Sequence, residues 1–562
     1  MKHLQAVAIK HKALIAGYVA IGIIWTFLQN YSPYCFSRVI DNFTNGTLTV
    51  ANIAIYSAVI FANYFMGYVR NYPDRKLNDS ILQSLKLAAL RKISVIDYLT
   101  YTKLGTGALI QRIENGAEAG RYMLANFYVR LARDLLPSMI FSIVFVFALN
   151  RKIAVALVLC YMVMYIASNL LLKALYKLKE RILVNEELFN HFLVRGFMEL
   201  VVFRTNRRFA AEIAKTEAVS KEIVSSAAKV FMIHEAFFTI CSFFVGCLQI
   251  GVIVYGWTTG DLTIGQIVAL LALVDKAYEP IAVFNVVNVY YKLEKVAFTR
   301  YTKFLDAKED VRLTQGKTLT VLNGSISFVN TSFHYDEREI LADFSLHIAP
   351  GQTTALVGES GSGKSTVVKL IAGLLHTHSG RIEVDGHDLT KVNLNSYYKH
   401  IAYLPQEPPV FNGTLRENLV FDDAVNDALL MEAIEKAGLG DLFAKLEKGL
   451  DTQLGERGVN LSGGERQQLA LARLWFSQAS IVIFDEATSA IDNLTEEAVM
   501  AHAMALLAGK TVIAIAHRLD SIKAFDRIIL FHEGRVVEQG RFGDLIEARQ
   551  AFYELYNRTT VI

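Results

Sequence analysis

The residues best suited to chemistry lie in the C-terminal half of the chain. Gly358-Glu-Ser360-Gly361-Ser362-Gly363-Lys364-Ser365-Thr366 follows an apolar run and leads into the helical pattern Val367–Leu375. A G-x-x-x-x-G-K-[ST] stretch between strand and helix suits phosphate binding. Its glycines let successive backbone N–H groups turn inward, and the helix N-terminus adds partial positive charge. Lys364 is then placed for β- and γ-phosphates and Ser365 for Mg²⁺. Further along, Ile481-Val-Ile-Phe-Asp485-Glu486 is an apolar run ending in two carboxylates. A strand buried on both faces reads as a continuous apolar run, so these acids emerge at its C-terminal edge. Asp485 suits Mg²⁺, and Glu486 suits orienting or deprotonating an attacking water.

Such groups need a scaffold, and its outline is visible in the pattern around them. Beyond about Thr302, short β-rich runs such as Ser325–Val329, Thr353–Val357 and Ile481–Phe484 alternate with helical stretches and glycine turns. That pattern predicts an α/β domain with a parallel sheet. Upstream the composition changes. The chain of 562 residues is 53% hydrophobic and only 20% charged, with a mean hydropathy of +0.31. Six apolar stretches approach the roughly 20 residues a membrane helix needs: Ala13–Phe36, Ala51–Tyr72, Ala125–Leu149, Ile153–Leu175, Ile233–Trp257 and Ile264–Val287. The connections Ile40–Val50, Asn150–Lys152 and Thr258–Thr263 are short. The other two are long and rich in Lys and Arg, matching Lys2, Lys10 and Lys12 at the N-terminus. Positive charge concentrates on the cytoplasmic side, so both termini are predicted there, in a plasma or inner membrane. Nothing in Met1–Lys12 reads as a cleavable signal.

The net charge of +3 is too small for a nucleic-acid partner. Cys35, Cys160, Cys241 and Cys247 fall in apolar runs without metal-ligand spacing and read as buried hydrophobes.

Between the two motifs stands Leu461-Ser462-Gly463-Gly464-Glu465-Arg466-Gln467-Gln468. This stretch resembles the signature motif of the ABC transporter superfamily. Gln406 in Tyr403-Leu-Pro-Gln406 resembles the family's Q-loop, Ser489-Ala-Ile491-Asp492 its D-loop, and His517 its switch histidine. Ile491 stands where Leu is commoner. Tyr335 precedes the phosphate loop by about the spacing of the adenine-stacking aromatic. Gly107-Ala-Leu109-Ile-Gln-Arg112 looks like the G-x-L-x-x-R stretch near the first cytoplasmic coupling helix. The second is expected at Arg195–Asn206.

The resemblance implies a six-span α-helical transmembrane domain with an α/β P-loop ABC ATPase domain. The divisions are 1–305, a linker at 306–324, and 325–562. It implies ATP with Mg²⁺, the cation held by Ser365, Gln406 and Asp485. Tyr335 stacks on adenine, Gly358 and Ser360 through Thr366 cradle the phosphates, and Ser462, Gly463 and Gly464 contact nucleotide held by a second subunit. Glu486, His517, Lys364 and Gln406 carry the catalysis. One P-loop and one signature per chain call for a partner half-transporter, with a homodimer favoured and a heterodimer open. The implied activity is ATP-driven solute transport by an exporter-type half-transporter, in the direction of export for a small amphipathic molecule, lipid or peptide. An importer on the same fold and an ATP-gated membrane regulator are the alternatives.

Polar residues inside spans are costly and often functional. Asp275, Lys276, Glu279 and Asn285 interrupt the sixth span, where Pro280 is expected to bend it. Asp275 and Glu279 share a face, and Lys276 could pair with Glu279. They either line a solute cavity or tie helices together. Asn30, Tyr31, Ser32 and Arg38 near the outer end of the first span are further, weaker solute candidates. The run Phe237, Phe238, Phe243 and Phe244 reads as lipid-facing or packing.

Overall fold

The computed structural model describes residues 1–560 except 105, 422–424, 456–458, 488, 489, 492 and 517. The chain divides into two compact units: Met1–Ser94 with Leu104–Ala307, and Val95–Lys103 with Lys308–Ile562.

The first unit is helical. Six long helical runs dominate it: Lys12–Thr44, Val50–Val69 continued by Asn71–Ile93, Thr106–Leu149, Arg151–Met198, Phe209–Thr259 and Ile264–Leu305. Among the described residues, four are long and apolar enough to cross a membrane: Lys12–Thr44, Val50–Ile93, Leu109–Leu149 and Phe209–Thr259. The fourth and sixth expected spans fall in Arg151–Met198 and Ile264–Leu305. These helices run well past the apolar stretches. Phe209–Thr259 has 51 residues, about 75 Å at 1.5 Å per residue, against a hydrocarbon core of roughly 30 Å.

The short connections supply the helix caps. Thr49 caps Val50–Val69. The Asn150 side chain accepts from the amides of Lys152 and Ile153 at 3.0 and 3.2 Å. Thr263 and Gln266 form a reciprocal capping box, satisfying amides that a helix start leaves without partners. Gly260, at φ +66°, closes Phe209–Thr259 in the left-handed region that glycine tolerates. The third run is π-helical over Tyr122–Val129 and Leu131–Leu135.

The second unit is α/β. Its strands are β1 (Ile326–Tyr335), β2 (Arg338–Ile348), β3 (Thr353–Gly358), β4 (Ser379–Val384), β5 (His387–Asp388) and β6 (Ile401–Leu404). They continue as β7 (Gly413–Thr414), β8 (Gln453–Leu454), β9 (Ile481–Asp485), β10 (Thr511–Ile515), β11 (Arg527–His532) and β12 (Arg535–Gly540). The main sheet has the order β12-β11-β3-β10-β9-β6, and a second runs β2-β1-β4-β5. From β11 to β6 the main sheet is parallel. Every residue of β9 and β10 is buried, as strands covered on both faces must be. In such a sheet ligands gather beyond the C-terminal strand ends. The phosphate loop leaves β3 there, and Glu486 follows β9.

Val95–Lys103 belongs to this unit although it precedes it by some two hundred positions. Ile96 and Glu309 form an antiparallel bridge. The Asp97 amide donates to Lys308 O at 3.0 Å, and the Asp310 amide to Val95 O at 2.9 Å.

Candidate functional site

The phosphate loop is shaped by its glycines. Gly358, Gly361 and Gly363 have φ of +140°, +83° and +106°. A Cβ on Gly358 would stand 2.2 Å from Phe531 O, so only glycine lets the loop leave β3 alongside β11. Gly363 is the N-cap of the helix Lys364–Ile371, which directs that helix's N-terminus at the loop.

Lys364 Nζ donates to Gly358 O at 2.8 Å, Glu359 O at 2.7 Å and Ser362 Oγ at 3.2 Å. Burial pulls this ammonium below its ordinary range, with the Glu486 carboxylate pulling the other way. A buried cation folded onto neutral carbonyl oxygens is poised to exchange them for phosphate oxygens. Beside it lies a cavity of about 270 Å³ lined by Tyr335, Arg338, Ile340, Ser360, Gly361, Gly363, Lys364, Ser365, Thr366 and Glu486. Tyr335 ends β1, and its ring packs edge-on against Phe333.

The carboxylates are held from neighbouring segments. Gln406 Nε2 donates to Glu486 Oε2 at 2.6 Å, and the Tyr403 hydroxyl to Asp485 Oδ2 at 2.8 Å. Glu486 has φ +55°, a strained conformation for a non-glycine residue and one that clusters at functional positions. Because Gln406 uses its amide nitrogen on Glu486, its oxygen remains for a cation. Ser365, Gln406 and Asp485 thus offer oxygen donors only, the type Mg²⁺ takes.

Ser462 caps the helix Gly463–Ala472 in a capping box. Its side chain accepts from the Glu465 amide at 3.3 Å, and its own amide donates to Glu465 Oε2 at 2.7 Å. Ser462, Gly463 and Gly464 are not among the residues lining the phosphate cavity. His517 lies outside the described residues, as do Ser489 and Asp492.

The model of the family described as ABC transporter matches residues 341–489. The ATM1-type heavy metal exporter of Novosphingobium aromaticivorans is 27% identical over 94% of this chain and 89% of its own length. A solved structure of a bacterial Atm1-family ABC exporter with ATP bound covers 98% of both chains at a TM-score of 0.84 and 24% identity.

The chain carries an ABC transporter ATPase domain and is similar along its length to exporter-type half-transporters with a fused nucleotide-binding domain. It is membrane-embedded and multi-pass, binds nucleotide and couples ATP hydrolysis to transport. The uncharacterized ABC transporter ATP-binding protein YwjA of Bacillus subtilis is 36% identical over 53% of this chain and 52% of its own.

Sequence reasoning about the half-transporter missed Gln467 within its own signature stretch. Gln467 Nε2 donates to Gln406 O at 3.3 Å and Glu486 O at 3.5 Å, and Gln467 Oε1 accepts from the Ala490 amide at 2.8 Å. One buried amide thus joins the Q-loop, the strand-end acids and the signature helix. Only its i+5 position after Ser462, facing inward on the helix, signals this in sequence.

In the membrane unit, Lys276 Nζ donates to Gln29 O at 2.6 Å, and Gln249 Nε2 donates to Asp275 Oδ1 at 3.2 Å. These contacts tie Ile264–Leu305 to the first and fifth helical runs, while Asp275 and Glu279 remain exposed. Asn30 is buried and accepts from Ser142 Oγ at 2.9 Å. Tyr31 stacks on Phe27, and Arg38 lies over the Tyr34 ring. Phe237 is fully buried and Phe243 exposed. The Asn285 side chain is outside the described ones.

Hydropathy does not announce a charge cluster centred on the buried cation Arg133. Arg133 pairs with Asp134, lies over the Tyr18 ring and reaches Asp74 at 3.7 Å. Gly22 makes the room: its Cβ would fall 1.9 Å from Arg133 Cγ.

Proposed function

We propose that the half-transporter works as a dimer of two such chains, exporting a small amphipathic molecule, lipid or peptide from a cytoplasm that holds both termini. The composite architecture rests on one observation. The cavity beside Lys364 is lined by phosphate-loop and strand-end residues, whereas Ser462–Gly464 cap a helix that contributes nothing to it. A second copy, in the 325–562 domain, brings the missing signature.

In this reading Tyr335 stacks on adenine, and Gly358 with Ser360 through Thr366 holds the phosphates. Lys364 draws charge from the β- and γ-oxygens. Ser365, Gln406 and Asp485 would hold Mg²⁺, which would supply positive charge to the bound phosphates. Glu486 orients the attacking water and takes its proton, and His517 stabilises the transferring group. Positioning and charge neutralisation supply most of the rate in such reactions. Gln406 and Gln467 connect these groups to the segments that move on closure. Export is supported by two of the matches, which are named as exporters, and a second coupling helix at Arg195–Asn206 is supported by exposed Phe197, Met198 and Val201.

Complementation tests the composite site. Lys364→Ala and Ser462→Arg each disable both sites of a homodimer. Mixed dimers contain one doubly damaged site and one intact site, so coexpression restores ATPase activity. A mixture as inactive as its parents excludes the shared site. ATP-dependent uptake into inside-out vesicles tests direction, and uptake only into right-side-out vesicles loaded with ATP would make the protein an importer.

A further inference from the structure

We propose that Tyr403 is a positioning residue whose hydroxyl fixes the Asp485 carboxylate for a divalent cation. Tyr403 sits three positions before Gln406, and residue type alone assigns it no task. The fold places it in β6, beside β9, with Tyr403 opposite Ile483 and Leu404 opposite Phe484. Asp485 lies just past the last paired position, so the ladder between these two strands does not fix its side chain. The Tyr403 hydroxyl reaches across and donates to Asp485 Oδ2 at 2.8 Å.

Three features suit this contact to orienting the carboxylate. Asp485 is buried, at 9% exposure, where an added hydrogen bond is stronger than in water. A phenol keeps its proton at neutral pH, so the Tyr403 hydroxyl donates and the carboxylate accepts. The ring packs against the core that holds Ile481 and Ile483, so the hydroxyl has little freedom to follow a rotating carboxylate. Partners behind a metal-holding carboxylate set its orientation, and their loss typically lowers metal affinity about 10- to 100-fold. Phenylalanine would keep the ring packing and remove only the donor.

The inference rests on Asp485 being the cation-holding carboxylate, and the experiment separates the two claims. Full-length protein in lipid nanodiscs is titrated with Mn²⁺ in the presence of ADP, and bound Mn²⁺ is read by electron paramagnetic resonance. Affinity for a fluorescent ATP analogue in EDTA is measured alongside. Tyr403→Phe is expected to weaken Mn²⁺ binding about tenfold and leave metal-free nucleotide affinity unchanged. Unchanged Mn²⁺ affinity overturns the proposal. Loss of metal-free nucleotide binding overturns it too, since the hydroxyl would then support the fold. Asp485→Asn is the reference. If it lowers Mn²⁺ affinity and Tyr403→Phe does not, the positioning role alone fails. If Asp485→Asn binds Mn²⁺ like the parent protein, the assignment of Asp485 fails as well.

Discussion

Gln406 Nε2 and Glu486 Oε2 are joined by a hydrogen bond of 2.6 Å, so a Q-loop amide restrains the carboxylate proposed to handle water. The two come from segments 80 positions apart, brought together because β6 lies beside β9. Glu486→Gln removes the base and keeps the shape. Turnover is expected to fall by about 10²- to 10⁴-fold, the usual contribution of a general base, with nucleotide still bound. Gln406→Ala removes a donor to a charged group, worth roughly 1.5–3 kcal/mol, and should cost about 10- to 100-fold in kcat. Phosphate release and nucleotide binding measured together check both. A Glu486→Gln protein that turns over normally would remove Glu486 from the chemistry.

Lys364 is buried and bonded to oxygens of its own loop. Replacing it with Ala removes a charged donor from the phosphates, again roughly 1.5–3 kcal/mol, or about 10- to 100-fold in ATP affinity. The loop carbonyls of Gly358 and Glu359 lose their donor at the same time. The variant should therefore also unfold at a slightly lower temperature. Equilibrium binding and a thermal scan of the same sample read the two effects separately.

The phosphate-loop glycines are predicted to fail in different ways. Gly358→Ala puts a Cβ against the Phe531 carbonyl of an adjacent strand, and backbone cannot move aside cheaply. This variant should be lost from the membrane fraction. A Cβ at Gly361 meets nothing within 4 Å, so Gly361→Ala bears only the left-handed backbone strain of about 1–2 kcal/mol. It should fold, with nucleotide affinity reduced because the added methyl points into the cavity it lines. Membrane yield and nucleotide binding distinguish the two.

Legibility in sequence followed how local each feature is. The phosphate loop and the β9 acids are contiguous motifs, so type and spacing announce them. The Gln406–Glu486 and Tyr403–Asp485 bonds depend on sheet order, which no single segment encodes. The apolar stretches marked where lipid is crossed, but Phe209–Thr259 stays helical through Glu212–Lys229, where hydropathy is silent and helical propensity continues. Arg133 was hidden for another reason: its partners Tyr18 and Asp74 lie on other helices. The pairing of Val95–Lys103 with Lys308–Asp310 was equally invisible, a strand-like contact made by residues with no strand pattern.

That contact leads to a prediction about acid. Asp310 and Arg312 form a buried two-point pair at 2.7 and 3.0 Å, and the same guanidinium lies 3.3 Å from His376 Nε2. Burial pushes the Asp310 carboxyl up, but Arg312 outweighs it and holds the group below its ordinary range. His376 faces Asp97 and Asp310 at 3.3 and 3.6 Å, which favour its charged form. Burial, then Arg312, oppose them and prevail, so its pKa lies below the ordinary 6.5. A guanidinium N–H pointing at Nε2 fits a neutral imidazole accepting there. A histidine with a lowered folded pKa binds its proton more readily when unfolded. Its contribution to stability is complete above 6.5 and is lost as pH falls below that value. Asp310 acts far lower, below the ordinary carboxylate range, and does not overlap. The apparent unfolding temperature of the full-length protein should therefore decline from pH 7 to pH 5.5, and His376→Asn should flatten that decline. An equal decline in the variant would place the acid sensitivity elsewhere.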